Sequence, residues 1–177
     1  MRTRRWAVVG ISVLALILFL CQPVSRLIVR SEESPRWLLT IPLNLPEEVT
    51  IQFLHSYDRG FVWEHYAIDA RRTILLSGLT LQSFLNGQGF VGGEATIEGG
   101  LGRVRHINRP MEKISFFLGS IADHHLIIAQ KSYRLLSLAG SGDVVVITAE
   151  EKPRAVWFWD FIHEESLKVW KKFKEVQ

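Results

Sequence analysis

The sequence predicts a mostly β protein, an antiparallel sandwich or small barrel, with an N-terminal transmembrane helix and a C-terminal amphipathic helix. Three observations carry that prediction. Short apolar runs succeed one another between Trp37 and Ala149, none long enough for an ordinary helix. Turn-forming clusters, Asp58-Arg59-Gly60, Ser77-Gly78 and Gly140-Ser141-Gly142, interrupt them at hairpin distances. The two ends differ in texture from this body and from each other. At 177 residues the chain can form one domain with a sizeable core and short appendages. The expected division is residues 1–30 as a membrane anchor or signal segment, 31–152 as an extracytoplasmic β domain, and 153–177 as an amphipathic tail.

The amino end reads as a membrane segment. Arg2, Arg4 and Arg5 precede an uncharged run from Trp6 to Cys21, which extends through Gln22 and Pro23 to Val24. That length reaches the roughly 17–25 residues a bilayer requires. Arginines on the short leading side predict a cytoplasmic N-terminus and an exported remainder in the cell membrane. A cleaved signal, giving a secreted protein, is the alternative. Bulky Leu20 before Cys21 stands where signal and lipoprotein processing both want a small residue.

Candidate strands in the body are Trp37–Pro42, Val49–Ser56, Phe61–Asp69, Thr73–Leu76 and Leu79–Phe84, then Gly102–Ile107, Lys113–Leu118, His124–Ala129, Tyr133–Leu138 and Asp143–Ala149. Between the two groups, Gly87-Gln88-Gly89-Phe90-Val91-Gly92 matches G-x-G-x-x-G. The fingerprint has meaning only where a helix comes next, and the further glycines here oppose one. A loop at the rim of the sheet is the better reading.

After Pro153 the period changes to helical. Phe158, Phe161, Ile162, Val169, Phe173 and Val176 fall on one arc, with Trp159 and Trp170 at its edge and charged residues opposite. Such a helix packs on its own domain, lies at a membrane surface, or docks on a membrane partner.

The formal net charge is +3, and the basic residues are scattered, which argues against a nucleic-acid partner. The single cysteine, Cys21, excludes an intrachain disulfide and a cysteine metal site. His124 and His125 are strand neighbours pointing apart, so they do not form a two-ligand metal site. No metal or cofactor is expected.

The densest cluster of polar residues is "HSYDRGFVWEHY", His55 to Tyr66, and His55, Ser56, Tyr57, Asp58 and Glu64 are the candidate binding residues. A two-residue Arg59-Gly60 turn places His55 opposite Glu64, within hydrogen-bonding reach. A four-residue turn instead puts Phe53 opposite Glu64. Paired in the first register, the carboxylate would orient the imidazole and raise its pKa. Ser56 points to the other face, so the strand supplies no nucleophile for His55, and no catalytic residue is expected.

His55-Ser56 followed by a short turn and Val62-Trp63-Glu64-His65-Tyr66 resembles the opening hairpin of the family known as domain of unknown function 1850 (DUF1850). "LQSFLNGQG" and the segment "SIADHHLIIAQKSYRLLSLAGSGDVVVI" are similar in style to its later strands. The resemblance covers about residues 37 to 150. It implies a small exported protein that keeps genomic company with the membrane subunits of TAXI-type tripartite ATP-independent periplasmic (TRAP) transporters, and no chemistry. The functional expectation is therefore a non-catalytic accessory or binding component, partnered with a TRAP membrane subunit or its solute-binding protein. A small-ligand β-barrel carrier is the alternative, and a hydrolase using His55 and Glu64 a lesser one.

Overall fold

The computed structural model describes residues 2–56, 59–82 and 92–163, apart from the side chains of residues 2–5, 7, 8 and 34–36. Two compact units divide the chain: Met1–Ser25 with Glu151–Gln177, and Arg26–Glu150. The protein is mostly β, with antiparallel sheets in the arrangement of a sandwich and a helix near each end.

The strands in chain order are β1 (Pro23–Ser31), β2 (Ser34–Pro42), β3 (Glu47–Leu54), β4 (Phe61–Ile68), β5 (Ile74–Leu81), β6 (Glu94–Glu98), β7 (Leu101–Arg105), β8 (Arg109–Met111), β9 (Ile114–Phe117), β10 (His125–Ile128), β11 (Lys131–Arg134) and β12 (Val144–Pro153). The smaller sheet runs β2-β1-β12-β9, and the larger runs β11-β10-β3-β4-β5-β7-β6, with β8 also on β5. Strand alternation explains the core between them. From the larger sheet come Val49, Ile51, Tyr66, Ile68, Ile74, Leu126 and Ile128; from the smaller come Leu27, Val29, Ile41, Ile114, Val145 and Ile147.

Three differences from the sequence reading have physical causes. Pro23–Arg30, expected within the anchor segment, belongs to strand β1, which ends at Ser31, and Leu27, Ile28 and Val29 are completely buried. Their apolar run beside Arg26 looks like a membrane flank only until strand pairing is known. The expected strands Thr73–Leu76 and Leu79–Phe84 are one strand, β5, over its described length. Ser77-Gly78 makes a bulge instead of a turn: His65 pairs with Gly78 and Tyr66 with Leu76. The Ser77 hydroxyl donates to the His65 carbonyl at 2.9 Å, giving the extra residue a bond outside the ladder. A Cβ at Gly78 would lie 2.7 Å from the Val104 carbonyl oxygen, so only glycine lets β7 approach here. Finally, β6 lies in the segment expected to be a rim loop, and β8 likewise has no counterpart among the expected strands. Its predecessor β7 pairs with Leu79–Leu81, and a turn with His106 and Asn108 at positive φ brings Arg109–Met111 onto Ile74–Leu76 of the same strand.

The G-x-G-x-x-G residues 87–91 lie outside the described residues. Immediately after Gly92-Gly93 the chain forms strand β6, not a helix.

In the other unit, α1 (Arg2–Cys21) leads at once into β1. Trp6, Val9, Ile11, Val13, Leu14, Leu16, Ile17, Leu18 and Phe19 are all exposed. Among the described residues no helix is long and apolar enough to cross a membrane. A second helix, α2, covers residues 154–163. Its buried side chain is Trp157, 3% exposed, whose indole N–H donates to the Val24 carbonyl at 2.8 Å. The arc expected to be apolar, Phe158, Phe161 and Ile162, is exposed in this structure, as is Trp159. Val169, Phe173 and Val176 lie outside the described residues.

Candidate functional site

The opening hairpin adopts neither of the two registers considered from sequence. Ile51 pairs with Glu64, and Leu54 with Phe61, leaving His55 to Gly60 as the connection. Backbone bonds close that loop: the His55 N–H donates to the Gly60 carbonyl and the Arg59 N–H to the His55 carbonyl, both at 2.9 Å. Arg59 has φ 52°, a left-handed conformation. The longer loop moves Glu64 four positions back along β3 from His55, on the order of 13 Å at strand spacing. The expected imidazole–carboxylate pair is therefore not formed. His55 is half-buried and Ser56 exposed at the loop. Tyr57 and Asp58 lie outside the described residues.

Glu64 belongs instead to a cavity between the two sheets, of about 410 Å³. Val62, Glu64, Tyr66 and Ile68 share the inner face of β4, so the carboxylate and the phenol stand side by side. The Tyr66 hydroxyl donates to Glu64 Oε2 at 2.7 Å. Tyr66 is 4% exposed. Burial raises the Glu64 pKa, and the Tyr66 bond pulls it partly back. The phenol in turn is pushed far above its usual range, first by burial and then by the adjacent carboxylate.

Across the sheet, Tyr66 pairs with Leu76, which pairs with Arg109. Directly opposed residues share a face, so this row carries Arg109 to the cavity edge. The apolar walls are Ile51, Phe53, Leu76, Met111, Ile114 and Phe116, and Ser115 also borders the space. His124 completes it, from the loop before β10.

The His124 ring is stacked between Phe53, at 5.1 Å, and Phe116, at 4.7 Å between centroids. It is 6% exposed, and its Nδ1 is buried without a hydrogen-bond partner among the described residues. Burial lowers its pKa, with Asp123 acting in the opposite sense. The site thus holds a neutral imidazole between aromatic rings. Its neighbour His125 is elsewhere, hydrogen-bonded to Ser132 at 3.1 Å. Among the described residues no three metal-ligating side chains converge.

His65 lies on the opposite face of β4 from Glu64. Its two ring nitrogens are hydrogen-bonded to Thr50 at 3.2 Å and Thr80 at 2.9 Å. Burial is the main cause of its lowered pKa.

Of the candidate binding residues that the structure describes, His55, Ser56 and Glu64, only Glu64 lines the cavity. Tyr66 is readable beside it from the alternation Val-x-Glu-x-Tyr. Arg109, Ser115 and His124 come from segments whose register only the folded sheet defines. All the lining residues, from Ile51 to His124, fall within the segment that matches a known family. No curated protein and no solved structure matches the chain. Residues 49–135 match the model of a family described as Domain of unknown function (DUF1850), and it is to this family that the chain belongs.

Proposed function

We propose that this chain is a membrane-tethered, extracytoplasmic β domain that binds a small ligand between its sheets, as a non-catalytic component working beside a TAXI-type TRAP transporter. The observation that carries the binding half is the inter-sheet cavity, in which Glu64, Tyr66, Arg109 and His124 meet apolar walls. A few polar groups in a largely apolar concavity of this volume are what small-molecule sites have in common.

The tether rests on sequence and exposure together. Strand β1 begins at Pro23, inside the uncharged run, so Trp6–Cys21 is what a span can use. It is short, but arginine side chains before it can snorkel to the headgroups. A helix of 20 residues rises about 30 Å, the thickness of the hydrocarbon core. The exposed apolar residues of α1 then face lipid, and the aromatic face of α2 offers a further contact with the membrane. The loop that follows β3, with His55 and exposed Ser56, is the surface we assign to a transporter membrane subunit or its solute-binding protein.

Two experiments test these halves. The full chain should stay in membranes through an alkaline carbonate wash and be digested by protease added outside; release by the wash overturns the tether. Detergent-solubilised full chain should show a thermal shift with some members of a mixed panel of small acids, amines, zwitterions and neutral compounds. No shift with any class overturns the ligand site. Repeated failure to co-purify a transporter subunit overturns the partnership.

A further inference from the structure

The cavity carries two charged side chains of opposite sign that do not pair with each other. Among the described residues, Glu64 has the Tyr66 hydroxyl as its hydrogen-bond partner and no cation, and Arg109 has no ion pair. Tyr66, Leu76 and Arg109 form one row over three adjacent strands, and Glu64 stands two residues along from Tyr66. Strand spacings of about 4.8 Å across and 3.3 Å along put the Glu64 and Arg109 α-carbons on the order of 12 Å apart. Glu64 is half-buried and Arg109 is exposed at the cavity edge, so the two charges border the space from its inner wall and its rim, a separation one small molecule can bridge.

We infer that the ligand is a zwitterion of amino-acid type, its ammonium set against Glu64 and its carboxylate against Arg109. This rests on the cavity being a ligand site and adds the class of ligand. A simple organic acid would satisfy Arg109 but bring a second anion near an uncompensated carboxylate. A simple amine would satisfy Glu64 and leave the guanidinium unused. A zwitterion makes both charge-assisted contacts while carrying no net charge into an apolar space, which limits the desolvation cost. The raised pKa of Glu64 fits a carboxylate that lacks a cation until a ligand supplies one. The walls of Phe53, Phe116, Leu76 and Ile114 accept an apolar or aromatic side group, and His124 provides a third polar contact near it.

The test is calorimetric titration of the full chain in detergent with L-phenylalanine, N-acetyl-L-phenylalanine, which lacks the ammonium, and phenethylamine, which lacks the carboxylate. The corresponding leucine series guards against a side group of the wrong shape. The zwitterion of at least one series should bind about tenfold or more tightly than both truncated forms. Glu64→Gln should erase the advantage over the acetylated form, and Arg109→Gln the advantage over the amine. Arg109→Lys and Glu64→Asp keep the charges and should retain part of each preference, which a merely structural role would not produce. Equal or tighter binding of a truncated form overturns the zwitterion but leaves the ligand site standing. Binding weakened alike for every probe by both variants also overturns it. If no compound of any class binds, the zwitterion and the ligand site fall together.

Discussion

Tyr66 donates its hydroxyl to the Glu64 carboxylate over 2.7 Å, from two positions along the same strand. The contact puts a half-buried acceptor and a buried donor in each other's reach on a face that is otherwise apolar. The phenol would be costly there alone, because little water reaches it, and the carboxylate would lose part of its hydration. Together they fix the Glu64 side chain toward the inter-sheet space instead of the hairpin loop.

Removing the phenolic oxygen should reveal that bond directly. Tyr66→Phe keeps the ring packing, and a hydrogen bond to a charged group contributes about 1.5–3 kcal/mol. Urea unfolding at pH 7 should show a loss of that order. The loss should shrink in acid, where Glu64 takes up its proton. A loss independent of pH would mean that the bond does not select the carboxylate.

Glu64→Gln tests burial against charge. The folded-state pKa of Glu64 is raised, chiefly by burial. The folded protein therefore binds this proton more tightly than the unfolded chain does. Glu64's favourable contribution is complete below its unfolded value, near 4.5, and is lost as pH rises through the folded value. Glutamine keeps an acceptor for Tyr66 and does not ionise. The variant should gain stability relative to the parent as pH rises from about 4 to 7. A parent that gains on the variant over this range would show that the carboxylate has a compensating cation after all.

Gly78→Ala probes the bulge that aims β4 and β5. The added Cβ would meet the Val104 carbonyl at 2.7 Å, and that atom is backbone, so β7 must retreat. Overpacking of this kind costs about 1–3 kcal/mol. Thermal unfolding should show the loss, and amide exchange should quicken in Leu101–Arg105. An unaffected midpoint would mean that β7 moves freely.

The β character of residues 37–149 and most strand positions are legible because alternation is a local property. Glu64 is legible too, since a carboxylate amid Val62, Tyr66 and Ile68 breaks an apolar face. Its partner is not, because register depends on loop length: the chain uses six residues, His55–Gly60, where a tight turn of two or four gives a different pairing. Shifting a hairpin by such a step carries the pairing along the strand by whole residues. β8 is illegible for a related reason. Three residues that include Pro110 have no strand signal of their own, and only Ile74–Leu76 gives them a ladder. β1 is hidden by its proximity to the apolar amino end, whose composition masks where one segment stops.

His124 should make the protein sensitive to mild acid. Its ring lies between Phe53 and Phe116, and burial lowers its pKa from 6.5 despite the nearby Asp123 carboxylate. A depressed histidine is neutral in the fold where the unfolded chain would already be charged. Its contribution is therefore present above pH 6.5 and is lost as pH falls toward the folded value. His65 is shifted in the same direction by its own burial, so the two histidines share the acid slope. His124→Phe keeps an aromatic ring in the stack and removes both the proton site and the unpartnered Nδ1. Between about pH 7 and pH 5 its stability should fall less steeply than the parent's, with the remaining slope assigned to His65. His124→Ala should instead lose about 2–4 kcal/mol at pH 7, because it opens space between two rings. Urea titrations across this pH range separate the two effects. An unchanged slope in His124→Phe would mean that the imidazole takes up its proton in the stack as readily as in the unfolded chain, and its burial would then carry no penalty for charge.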